Sequence, residues 1–198
     1  MSGCSGDGSE DSVLVTSAMI RDDAKELETS GYAEQAAMLE NGVITAAEYQ
    51  QAFDSLRKCV EGNDMVIRGP WADPLDGFSL DFTTSPAGGD DAEFEPDDPR
   101  FEISDECENR YWFPLSVDYE RSRSGQMDPV LRDGIGQCMG RLGFEMSGDE
   151  VTVQDFVGEQ GIVDGKPTER ANAATECING ELARLYPERA VVGGFGFG

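Results

Sequence analysis

The chain has 198 residues, a formal net charge of −25, 38% hydrophobic residues and no histidine. That length makes one ordinary domain or two small ones, and the acidity excludes a nucleic-acid surface, which needs clustered Lys and Arg. The absence of histidine removes Ser-His-Asp and Cys-His catalysis and the commonest metal ligand, so an enzyme would have to use carboxylates alone.

In chain order, residues 1–15 open with MSGCSGDGSEDS and read as a flexible polar tether. From Thr16 to Leu39 the pattern is helical, with Ile20, Ala24 and Leu27 on one face and a split near Gly31. Thr45 and Glu48 form a capping box, and Tyr49, Phe53, Leu56 and Val60 continue as an apolar stripe that stops at Gly62. Val66 and Ile67 predict one strand and the alternation of Phe78, Leu80 and Phe82 another, with DPLDG as the turn between them. Residues 85–99 predict an acidic loop carrying Asp90, Asp91, Glu93, Glu95, Asp97 and Asp98, which solvates rather than holds a cation. Ser104 is the expected N-cap of the next helix, which Pro114 must kink or divide. A helix beginning at Pro129 places Leu131, Ile135, Cys138 and Leu142 on one face. A short capped turn comes next at TVQDFVGEQ. The last long helix aligns Ala171, Ala174, Ile178, Leu182 and Leu185. The expected fold is mainly α with a small β-hairpin, a disulfide-stapled helical domain built from two tandem helix-Cys…Cys-helix units. These span residues 16–125, with the hairpin and the acidic loop, and 126–190, before a Gly-rich tail at 191–198.

The five cysteines are Cys4, Cys59, Cys107, Cys138 and Cys177. None has C-x-x-C spacing, which excludes a zinc knuckle and a thioredoxin-type motif. One lone terminal cysteine and four in the body read as one special residue plus two disulfides, and hence an oxidising compartment. Aligning Cys59 with Cys138 sets Leu56 over Ile135, Val60 over Met139, Met65 over Phe144 and Ile67 over Met146. Aligning Cys107 with Cys177 sets Asn109 over Asn179 and Leu115 over Leu185. Four cysteines allow three connectivities, and the one an internal repeat preserves is Cys59–Cys107 with Cys138–Cys177.

S-G-C-S at the N-terminus matches the end of a bacterial lipobox, making Cys4 the expected lipidation site, with its export leader upstream of Met1. The segment LENGVITAAEYQQAFDSLRKCVEG, together with the paired helix-borne cysteines, resembles a loose group of small secreted or lipid-anchored actinobacterial proteins. That resemblance implies an extracytoplasmic location and carries over no catalytic residue.

Other motifs have plainer readings. Asn41, Gly42, Ile44 and Glu48 imitate the second half of an EF-hand loop, but the oxygen ligands of the first half are missing. In GIGQCMG, Gly134 and Gly136 are expected to permit close helix packing rather than to cradle phosphate. Trp71, Tyr111, Trp112 and Phe113 are expected in the core rather than along a ligand groove. The functional expectation is a non-enzymatic binding or interaction module, monomeric, lipid-anchored to the cell membrane. It needs no cofactor or metal, touches the membrane only through its anchor, binds no nucleic acid, and meets a protein or envelope ligand that is basic. Two alternatives stay open: a carboxylate-based hydrolase of the cell envelope, and a cytoplasmic acidic adaptor.

Overall fold

The computed structural model describes residues 15–88, 98–158 and 160–187. The chain is mainly helical with a small antiparallel hairpin and two helix-to-helix disulfides. It divides into two compact units. Of the described residues, the first takes those up to Ile67 together with those in Thr84–Arg123; the second takes Arg68–Thr83 and those from Ser124 onward. The outer part of the hairpin, placed by the sequence pattern with the first unit, therefore clusters with the second.

In the first unit, α1 (Ser17–Thr29) starts at Thr16, whose hydroxyl accepts from the Met19 amide. It buries Ile20, Ala24 and Leu27. The chain turns at Gly31, in the left-handed region at φ +87°, and enters α2 (Ala33–Leu39), which packs on α1. α3 (Ala46–Glu61) begins with the complete Thr45–Glu48 capping box and ends at Gly62. Its stripe of Tyr49, Phe53, Leu56 and Val60 is buried. Tyr49 stacks on Tyr119, and Phe53 meets Trp112 edge-on.

α4 (Pro99–Tyr111) starts five residues before the expected Ser104. Asp98 caps it by accepting from the Arg100 amide, and Pro99 fills the first helical position, where a missing N–H costs nothing. Ser104 instead lies inside the helix and is buried. A Cys59–Cys107 bridge ties α3 to α4.

Pro114 divides the helix as expected, and α5 (Phe113–Arg121) begins at once. The break is bridged by Gln35 of α2, only 1% exposed. Its amide nitrogen donates to the Asn109 carbonyl at 2.9 Å, and its carbonyl accepts from the Leu115 amide at 3.1 Å. One side chain thus satisfies two backbone groups, the Leu115 amide among them buried, that a continuous helix would have satisfied itself.

The hairpin strands are β1 (Met65–Ala72) and β2 (Leu80–Pro86). Phe78, expected in the second strand, lies in the turn. Asp76 holds it there, accepting from the amides of Phe78 and Ser79 and from the Ser79 hydroxyl.

In the second unit that turn meets the segment leading into α6 (Pro129–Arg141). The Gln126 amide donates to the Asp76 carbonyl and the Asp128 amide to the Pro74 carbonyl. A Cβ on Gly125 would lie 2.8 Å from the Asp76 carbonyl oxygen, so glycine is what allows the two backbones to approach. α6 buries Leu131, Ile135 and Met139, whereas Leu142, expected on that face, is 50% exposed as the helix C-cap. α7 (Val153–Val157) carries a capping box from Thr152 and Asp155. A minimal ladder of β3 (Ile162–Val163) and β4 (Lys166–Pro167), for which the sequence offers no alternation, precedes α8 (Glu169–Leu185). α8 presents Ala171, Ala174, Cys177 and Ile178 to the core, small residues that let α6 pack close, and Cys138–Cys177 joins the two helices. Gly134 faces Glu181 on α8, but Gly136 faces open space and has no packing role.

Candidate functional site

α1, the entry to α2, and α5 line a groove of about 340 Å³ within the first unit. Leu27, Pro114 and Val117 give it apolar walls, and Tyr32 and Phe113 add aromatic rings. Phe113 is 58% exposed, unlike its neighbour Trp112, which packs in the core with Tyr49 at a ring separation of 4.7 Å. The aromatic run therefore splits. Trp112 serves the core as expected, while Phe113 stands at the groove. Tyr111 is half-buried, and Trp71 belongs to the other unit.

The charged groups of the groove are Asp23 and Glu26 from α1, and Asp118 and Arg121 from α5. Asp118 is only 4% exposed, and its Oδ2 has no hydrogen-bond partner. Burial, then the charge of Asp23 and a hydrogen bond shared with it, push the Asp118 carboxyl up to about 6, and Arg121 opposes this only weakly. A carboxylate can only accept, so a hydrogen bond between two aspartates requires a proton on one of them. The site thus holds a proton at mildly acidic pH and a poorly compensated buried charge above it.

A second concavity, in the second unit, is lined by Ser147, Asp149, Glu150, Gln154, Asp155 and Gly158. Two of its three acids, Glu150 and Asp155, are already satisfied, and Asp149 is exposed. Glu150 accepts from the Ser147 amide and hydroxyl and from the Gly148 amide. Burial raises its pKa, but its own backbone amide, with the Ser147 and Gly148 donors, outweighs this and holds the carboxyl below its ordinary value. Asp155 is lowered chiefly by the Val151 amide, against burial, with Thr152 adding to the effect. These two carboxylates build the loop.

Cys4 and five of the loop acids, Asp90, Asp91, Glu93, Glu95 and Asp97, lie outside the described residues, as do the tether up to residue 14 and the Gly-rich tail. Asp98 is the N-cap of α4 and pairs with Arg100 at 2.7 Å. The EF-hand imitation dissolves into local structure: Asn41 accepts from the Val43 amide, Ile44 is buried and Glu48 completes the capping box. Among the described residues no group of three or more acidic or sulfur side chains is arranged to hold a metal.

Asp23 and Asp118 belong to no motif. The one signal available was the position of Asp118, three residues after Leu115 on the face of α5 that must be buried. A carboxylate in that position is rare in a core and marks a site that burial has perturbed.

Comparison with known proteins finds no matching family, no similar curated protein and no similar solved structure. The two disulfides indicate an oxidising, extracytoplasmic environment. Among the described residues no helix is long and apolar enough to cross a membrane.

Proposed function

We propose that the chain is the folded part of a lipid-anchored extracytoplasmic protein, held at the membrane through Cys4, that binds a basic partner and performs no chemistry. The observation that carries this reading is the α1–α5 groove, where a buried acid with an unpartnered oxygen stands among apolar and aromatic walls. Sites of that kind bind by placing a few polar groups in an apolar concavity. The net charge of −25 adds long-range attraction for cations.

On this reading the two units derive from a duplicated helix–Cys…Cys–helix element. Supporting that origin, Cys107 and Cys177 are each the ninth residue of their helices. The residues three before and one after Cys59 and Cys138 are buried in both units.

One observation favours a second reading, a carboxylate hydrolase of the cell envelope: the Asp23–Asp118 pair contains one acid raised towards neutrality, as a general acid must be. The two readings separate on incubation with purified envelope polymers at about pH 5 to 6, where a raised carboxyl still carries its proton. The binding reading expects no new reducing ends or amines; turnover that disappears in Asp118→Asn would replace it with the hydrolase. The anchor is tested in the precursor, where Cys4→Ser is expected to move the protein from membrane to medium. Unchanged partitioning would remove the anchor, and free thiols on Cys59, Cys107, Cys138 and Cys177 in natively purified protein would favour a cytoplasmic adaptor.

A further inference from the structure

We infer that the α1–α5 groove is a binding site for a primary ammonium group on an aliphatic stem, whose charge pairs with the buried Asp118 carboxylate. The inference rests on reading the chain as a binding module, and it adds the ligand's chemistry.

Three features point to this ligand. First, Asp118 is 4% exposed and the Oδ2 atom lacks a partner, so the free protein already bears the desolvation of this carboxylate. An incoming cation therefore meets an acceptor whose desolvation is already complete, which removes part of the usual penalty for burying an ion pair. Second, the charged groups facing Asp118 are Asp23 and Glu26 on α1 and Arg121 on its own helix, so the groove is net negative once the acids ionise. The hydroxyl of Tyr32, at the start of α2, adds a polar group without charge. Third, Leu27, Pro114 and Val117 offer an aliphatic stem a surface to lie on, and the exposed ring of Phe113 can face a cation. A bare metal ion would find neither the oxygen set nor any use for those walls.

The ammonium and the proton compete for the same oxygen atoms. Since the carboxyl is pushed up to about 6, affinity falls by about tenfold for each pH unit below that value. The same chemistry exists on a free diamine and on the lysine of a peptide, and the test separates them.

The full chain is titrated by calorimetry with cadaverine and with Nα-acetyl-lysine methylamide, at about pH 7.5 and about pH 5.0 and constant ionic strength, with 1-pentanol as the uncharged control. The expected result is saturable binding of at least one amine at the higher pH, about tenfold weaker at the lower, with no heat from pentanol. The tighter of the two amines identifies the source. Asp118→Asn, which removes a buried charge and so keeps the fold, should lower affinity at least as far and abolish the pH dependence. Phe113→Ala, at an exposed position, should weaken binding without touching that dependence. Glu176→Gln, exposed in the other unit, should leave binding unchanged. The inference is overturned if neither amine saturates, if Asp118→Asn binds as the parent does, or if Glu176→Gln weakens binding as much as Asp118→Asn. Failure here leaves the binding-module reading in place, whereas polymer turnover overturns that reading and leaves the amine titration standing.

Discussion

The two stapled helix pairs share one plan and diverge beyond the second cysteine. Each bridge joins a residue near the end of one amphipathic helix to the ninth residue of another, closing 48 residues in the first unit and 39 in the second. In the second unit the helix that carries the second cysteine runs unbroken to Leu185, with an alanine-rich face pressed on α6. In the first, it stops at Tyr111 and restarts as α5. That restart puts Asp118 on a buried face beside Asp23 and opens the groove between α1 and α5. The buried acid of the second unit, Glu150, is saturated with hydrogen bonds, and Asp118 is not. In the first unit the helix break thus places the groove, and the unbroken α8 of the second unit has no such break.

The largest effect expected is loss of a bridge. Replacing Cys59 and Cys107 together by Ala, or Cys138 and Cys177, should each cost about 4 kcal/mol, since the loops are of similar length. Denaturant titration measures this, with amide exchange reporting which unit loosens. If either pair destabilised both units equally, the division into two units would be broken.

Next comes the break itself. Gln35→Leu keeps the side chain's bulk but orphans the Asn109 carbonyl and the Leu115 amide. The expected loss is about 2–4 kcal/mol, with protection lost first across residues 109–118. A loss below about 0.5 kcal/mol would mean that the break holds without Gln35.

The smallest effects test two glycines of the second unit in opposite directions. Gly125→Ala should cost about 1–3 kcal/mol, because its Cβ meets backbone atoms of Asp76 that cannot swing away. Gly136→Ala, in open space within α6, should gain about 1 kcal/mol from helix propensity. Thermal melts of both decide where a glycine of this unit serves packing and where it merely occurs.

Much of this was legible in the residues, for identifiable reasons. Helices announced themselves where an apolar stripe came after a capping residue, as at Thr45 and Thr152. Both bridges were implied by the repeated spacing around Cys59 and Cys138. The hidden features depend on partners remote in sequence or on competition between caps. Asp98 outcompeted Ser104 because Pro99 comes directly after it. Phe78 was drawn into a turn by the Asp76 carboxylate. The hairpin's outer segment joined the second unit through the close approach of Gly125, which no local pattern records. The groove was the least legible feature, because Asp23 and Asp118 are 95 positions apart and become a pair only when α1 and α5 line one cavity.

The groove's role depends most on the ionisation of Asp118, and carboxyl carbon chemical shifts followed across the acidic and neutral range measure it directly. The fold raises this carboxyl above the unfolded value of 3.8 to about 6. Folding therefore favours the protonated form, and the associated stability is full below pH 3.8 and lost as pH rises through about 6. The expected result is a midpoint near 6 that falls when Asp23 is changed to Asn, with stability decreasing between 3.8 and about 6 in the parent and a flatter profile in Asp118→Asn. A midpoint in the ordinary aspartate range, unmoved by Asp23→Asn, would contradict a buried acid pair in the groove and the ligand chemistry built on it.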